Sequence, residues 1–319
     1  MFFHDVVNGN TSNNRIHGLH IDGVWTISPP LVKDYVFSFF ASKFEEPIAS
    51  RSKLECPNLS FVSEEEASML VSPFTVQEIK SVVWDCEGDR APGPDGINLN
   101  FVKRFWDKLQ DDFVSLFNHF FTSESLNNGC MSSFIALIPK RKNPGDLHDY
   151  RPISLIGCIN KIVSKVLVNR LKPIIHNLVS KERTTFLAGR SILDGVINLN
   201  EFLPWLKRQK KEAMILKVDI EIAYDSLSWE FIDSMLFQMK FPQKWCRWVM
   251  AIVKSARASV LVNGSPTQEF SCFRGLGQGD PLSPFLFVLA MKALTGVMKK
   301  ACSVGIFQGL SISPRLLES

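Results

Sequence analysis

Two carboxylates, Asp219 and Glu221, occupy alternate positions of the apolar run "KVDIEIAYDSLSW" (217–229), and Tyr224 and a third acid, Asp225, follow at once. Downstream, "RGLGQGDP" (274–281) spaces Gly275, Gly277 and Gly279 two apart. An acid at the solvent end of a central strand, near a glycine-rich loop and a helix N-terminus, suits metal-assisted phosphoryl transfer. Carboxylates hold Mg²⁺ and backbone amides face phosphate. An edge strand with exposed acids has the same pattern, so "VDIE" alone leaves both readings open. Two basic runs, "PKRKNPG" (139–145) and "KRQKK" (207–211), offer local attraction for phosphate. They read equally as a solvated loop and a helix C-terminus.

The elements that must position these residues follow from periodicity. Met214, Leu216, Val218, Ile220 and Ile222 are all even-numbered and apolar, whereas Lys217, Asp219 and Glu221 are odd, which predicts a strand with one buried face. Ser228 then caps a helix bearing Trp229, Ile232, Leu236 and Met239, so Tyr224 and Asp225 fall on the strand-to-helix turn. Asn263-Gly264 signals a hairpin, and Ser283-Pro284 opens a helix apolar nearly all round, hence buried.

Upstream, Val76, Ile79, Val82 and Val83 keep helical spacing before Pro92, Gly93, Pro94 and Gly96 force a turn. Ile159, Ile162, Val163, Val166, Leu167 and Leu171 form the apolar face of an amphipathic helix, which Pro173 is expected to end while opening the next. A further helix is expected from Ser191, with Asp194 three residues on and an apolar face of Ile192, Val196, Leu199 and Leu203. The first 75 or so residues, punctuated by "SPP", "EEP" and "ECPN", read as a loosely packed lead-in. There is no internal repeat.

Composition bounds the class. A chain of 319 residues and 36.1 kDa, 45% hydrophobic and 21% charged, has globular composition and size enough for one large core or two modest ones. Its longest apolar stretch (284–298) is broken by Lys292 and too short to cross a bilayer. The N-terminus has no secretory pattern, so an intracellular protein of nucleus or cytoplasm is expected. Seven scattered cysteines, never in a C-x-x-C, suit reduced thiols better than disulfides or zinc. A net charge of +4 permits nucleic-acid binding without identifying it.

Five segments carry a resemblance: "APGPDGINLNFVKRFW" (91–106), "IALIPKRKNPGDLHDYRPISLIGCINKIVSKVLVNRL" (135–171), "FLAGRSILD" (186–194), "KVDIEIAYDSLSWEFI" (217–232) and "VLVNGSPTQEFSCFRGLGQGDPLSPFLF" (260–287). In order and spacing they resemble the reverse transcriptase of plant LINE-type, non-LTR retrotransposons. "NRIHGLHIDGVW" and "FSFFASKF" resemble that family's segment between endonuclease and polymerase. The resemblance implies an α+β right-hand polymerase, with a linker-like segment over 1–75, fingers over 76–213 and a partial palm over 214–319. It implies RNA-directed DNA synthesis on an RNA template and DNA primer from dNTPs, with two Mg²⁺ ions as cofactor.

Carried over residue by residue, Asp219 matches the first catalytic, metal-binding aspartate. Tyr224 matches the aromatic gate against a 2′-hydroxyl, and Gln278 and Gly279 the loop beneath nucleotide and template. Lys140 and Arg151 match fingers cations that meet the triphosphate, with Arg141 and Lys142 competing for the role of Lys140. Glu221 and Asp225 match no metal ligand. Ile222 and Gly277 stand where the family usually has Lys and Arg. The family's second acidic motif, an aromatic-Ala-Asp-Asp turn, and its thumb are not found before Ser319, and Asp111-Asp112 lies in helical sequence ahead of the fingers. The expectation from the sequence is thus a fragment inactive by itself. A non-enzymatic RNA-binding remnant and a relic reading frame are the alternatives, and oligomeric state is open.

Overall fold

The computed structural model describes residues 15–48, 51–179 without 53 and 58, 192–210, 224–306 and 308. The chain opens with a hairpin, β1 (Leu19–Ile21) and β2 (Val24–Thr26), then helices α1 (Pro29–Lys43), α2 (Glu64–Leu70), α3 (Val76–Asp85), α4 (Leu99–Arg104) and α5 (Trp106–Ser123). Strands β3 (Ser132–Pro139) and β4 (Tyr150–Ile156) lead to α6 (Cys158–Leu178), α7 (Ile192–Gln209), α8 (Trp229–Gln238) and α9 (Gln243–Lys254). β5 (Arg257–Val262), β6 (Ser265–Pro266), β7 (Phe270–Ser271) and α10 (Ser283–Ser303) complete a mixed α and β architecture.

Side-chain caps set several helix starts. Thr75 accepts from the Glu78 N–H, Asn98 from Phe101, Ser228 from Phe231, and Ser63 with Glu66 forms a reciprocal capping box. The turn before α4 closes as expected, the Gly96 N–H donating to the Gly93 carbonyl at 3.0 Å. Asn263 and Gly264, with φ of 52° and 84°, join β5 to β6 in the left-handed conformation a tight hairpin needs.

The larger sheet runs β4-β3-β5-β6, with β7 also on β5. β3 and β4 are antiparallel, from Ser133 opposite Ile156 to Pro139 opposite Tyr150, while β3 and β5 are parallel. Ile135, Leu137, Tyr150 and Ile156 share the buried face of the β3–β4 ribbon. Arg151 stands opposite Ile138 on the other face, and both are exposed. Among the described residues β4 is the edge strand of this sheet.

Two expectations fail. Helix α6 does not end at Pro173 but continues to Leu178. Ile174, Ile175 and Leu178 are 2% exposed or less, and burying them outweighs the roughly 3 kcal/mol that an interior proline costs. Nor is the lead-in loosely packed: Leu19, Val36, Phe40 and Leu70 are buried in the common core. Val32, Val36 and Phe40 fall four apart, a helical stripe masked by the neighbouring apolar residues of α1. Arg170 of α6 fastens this region, pairing with both Glu78 oxygens at 2.6 and 2.7 Å and donating to the Leu70, Ser72 and Pro73 carbonyls. The expected apolar face of α7 is less covered, Leu199 and Leu203 being exposed while Leu206 is buried. The strand expected at 214–222 lies outside the described residues.

Candidate active site

Tyr224 and Asp225 lie on a turn just ahead of the Ser228 cap. The glycine loop clasps that turn: the Leu276 N–H donates to the Tyr224 carbonyl and the Gly275 N–H to that of Leu227, both at 2.8 Å. The Trp229 indole N–H donates to the Gly275 carbonyl at 2.7 Å. At Gly275, φ is +83° and a Cβ would stand 2.6 Å from the Asp225 carbonyl oxygen, so only glycine fits. The Tyr224 ring is half-buried, its centroid 5.1 Å from that of Phe287, and burial pushes its phenol pKa up. Asp225 pairs with Lys43, Oδ2 to Nζ 2.8 Å.

The same loop then crosses to the sheet edge. The Ser154 N–H of β4 donates to the Gln278 carbonyl at 2.7 Å, and at Gly279, where φ is +123°, a Cβ would lie 2.7 Å from the Ser154 carbonyl oxygen. One loop thereby links the Tyr224 turn to the strand that carries Arg151. Next to it, Asp280 turns its carboxyl inward, accepting from the Leu282 N–H at 2.7 Å. The Ser164 hydroxyl lies 3.1 Å from Asn160 Oδ1 and 3.3 Å from Asp280 Oδ2, one proton between two acceptors. Burial raises the Asp280 pKa to about 6, against the opposing effect of the Leu282, Ser164 and Ser283 hydrogen bonds.

At the far end of the β3–β4 ribbon, the Lys140 N–H donates to the Asp149 carbonyl and its ammonium to the His148 carbonyl at 2.9 Å. Arg141 is committed to Asp149 at 2.7 Å. Burial works against the Asp149 anion, yet Arg141 and the Gly145 and Asp146 amides hold its carboxyl below the usual range. Arg151 is exposed, and no ion pair engages it among the described residues. Tyr224, Gln278, Gly279 and β4 with Arg151 thus belong to one connected arrangement, while Lys140 marks its outer end. Asp219, with Glu221 and Ile222, lies outside the described residues. The described acids beside the turn are engaged, Asp225 by Lys43 and Asp280 by its amide and hydroxyl donors. Among the described residues no three His, Cys, Asp or Glu side chains group to hold a metal ion. A cavity of about 530 Å³ beside the start of α8, lined by Glu46, Trp229, Lys254, Arg257 and Phe273, contains none of the expected site residues.

Sequence reasoning missed Lys43, Ser154 and Asp280. Lys43 and Ser154 act through contacts distant in sequence, which no local period reveals; Asp280 was in plain view in the quoted loop.

Comparison with known proteins places these contacts in context. The sequence model of the family described as reverse transcriptase (RNA-dependent DNA polymerase) matches residues 138–315. The "Transposon TX1 uncharacterized 149 kDa protein" of Xenopus laevis is 27% identical over 281 residues, 88% of this chain and 22% of its own length. A "Retrovirus-related Pol polyprotein from type-1 retrotransposable element R2" of Nasonia vitripennis is 25% identical, covering 72% of the chain and 22% of the polyprotein. The "RNA-directed DNA polymerase from mobile element jockey" of Drosophila melanogaster is 23% identical over 70% of the chain and 24% of its own length. The chain spans less than a quarter of the length of these relatives.

Proposed function

Because the chain belongs to the reverse transcriptase (RNA-dependent DNA polymerase) family, we propose that it forms the nucleotide-selecting part of an RNA-directed DNA polymerase from a LINE-type, non-LTR element, with motif spelling that favours a plant source. The observation that supports this best is the loop from Arg274 to Asp280, which ties the Tyr224 turn to the free edge of β4. In this reading residues 76–213 are fingers and 214–319 belong to the palm.

Each residue then has a task. Arg151, exposed and without an ion pair among the described residues, meets the triphosphate in a bidentate contact, and Lys140 adds a point charge. Between Lys140 and Arg141, the ion pair of Arg141 with Asp149 favours Lys140 for the triphosphate, while Lys142 remains a competitor. The Tyr224 ring, backed by Phe287, occupies the space a 2′-hydroxyl would need. Gln278 and Gly279 lie beneath the nucleotide and template, where a side chain at 279 would collide with β4. Asp219 is the residue assigned to Mg²⁺, which when bound favours ionisation of the primer hydroxyl and balances the charge of the departing pyrophosphate.

The test is Mg²⁺-dependent dTTP incorporation on poly-rA/oligo-dT by the full chain. Incorporation is expected to fall to background in Asp219→Ala. Incorporation indifferent to that substitution would overturn the assignment, and none with any divalent ion would agree with the expectation of a fragment inactive by itself.

A further inference from the structure

We infer that Lys43, at the end of a helix upstream of the five motif segments, is a positioning residue for nucleotide selection. It holds Asp225 and thereby fixes the turn that carries Tyr224. The Lys43 ammonium lies 2.8 Å from Asp225 Oδ2, with the two side chains only 22% and 13% exposed. Water therefore screens the pair less than one standing free on the surface.

The backbone around this pair closes a circuit. The Lys43 carbonyl, one of those left without a partner at the end of α1, accepts from Arg274 Nε at 3.0 Å and Nη2 at 2.8 Å. The Phe273 N–H donates to the neighbouring Phe44 carbonyl at 2.9 Å. From Arg274 the chain passes directly to Gly275 and Leu276, whose amides hold Leu227 and Tyr224. The end of α1 thus grips the glycine loop by its backbone and the Tyr224–Asp225 turn by a charge, and loop and turn grip each other. The hydrogen bonds accepted by the Lys43 and Phe44 carbonyls reach the turn through the loop.

The last turns of α1 also reach the cationic ribbon. Phe39 packs edge-on against His148, with ring centroids 5.2 Å apart, and the His148 carbonyl is the acceptor for Lys140. In β1, the His20 N–H donates to the Gly145 carbonyl of the same loop at 2.9 Å. The lead-in therefore touches both the turn that carries the group assigned to sugar selection and the loop assigned to the triphosphate. Lys43 is the member of this brace whose contact is ionic and can be removed with the helix left intact.

The functional consequence rests on the polymerase reading; the mechanical one does not. The experiment therefore has two readouts on the full chain: amide hydrogen exchange across 224–229 and 273–279, and the preference for dTTP over UTP in primer extension on poly-rA/oligo-dT. Lys43→Met keeps the aliphatic stem, Lys43→Arg restores the charge, and Asp225→Asn removes it from the other side. Lys43→Met and Asp225→Asn are each expected to raise exchange in both segments about three- to tenfold and to lower the dTTP preference by a similar factor, with the melting temperature of the whole chain unchanged. Lys43→Arg is expected to stay near wild type in both readouts. Exchange in 224–229 unaltered by Lys43→Met and Asp225→Asn would overturn the inference, as would Lys43→Arg behaving like Lys43→Met. If the wild-type chain incorporates no nucleotide, as a fragment inactive by itself would not, exchange alone decides whether Lys43 holds the turn.

Discussion

At the scale of single residues, the Tyr224 ring packs against Phe287, and in the proposed reading it also gates the sugar. It lies against Phe287 and the core, yet stays half-buried on a turn whose backbone is held by the Leu276 and Gly275 amides. Tyr224→Ala is expected to reduce discrimination against ribonucleotides by about 10- to 100-fold, the range a shape-based contact commands, measured as the ratio of dTTP to UTP incorporation. Asp280 makes a prediction in pH. Its carboxyl ionises near 3.8 when unfolded and at about 6 in the fold, so the protonated form stabilises the protein fully below 3.8. That contribution is lost as pH rises to 6, a change on the order of 3 kcal/mol. Asp280→Asn, neutral at every pH, is expected to flatten the urea midpoint between pH 4 and 6 and to leave the variant at least as stable as wild type at pH 7.

At the scale of elements, the glycine loop is a connector whose shape is set by what it touches. Gly279 has a left-handed φ and no room for a Cβ beside the Ser154 carbonyl, so strain and collision coincide there. Gly279→Ala is expected to cost about 1–3 kcal/mol in denaturant unfolding and to raise amide exchange at Ser154, whose N–H is bonded to Gln278. Helix α6 shows the opposite balance, in which a residue that favours termination is overruled. Pro173 cannot donate a backbone hydrogen bond, but the apolar residues after it are buried and keep the helix whole.

At the scale of the whole molecule, one continuous core extends from Leu19 of the first strand to Ala293 of the last helix. The lead-in is built into it: Phe40 is 1% exposed, and its helix carries Lys43 to Asp225. Phe40→Ala is expected to lower stability by about 3–5 kcal/mol. Tryptophan fluorescence and far-UV circular dichroism should shift together, because a shared core unfolds as a unit. Two separate transitions would show the lead-in to be an independent body.

Much was legible without coordinates because it depends on local rules. Period 3.6, the Ser228 cap, the Asn263-Gly264 hairpin and the Gly93–Gly96 turn each depend on neighbours within a few residues. The ordered motifs likewise pointed to the family that the match over 138–315 establishes. What tertiary structure decided was which distant groups meet. Nothing local to "RGLGQGD" says that its backbone finishes the edge of β4, and nothing in "FFASKF" says that its lysine neutralises an acid more than 180 residues away. Those contacts depend on how helices and strands pack around a common core, a choice made by the summed burial of the whole chain and not by any one segment.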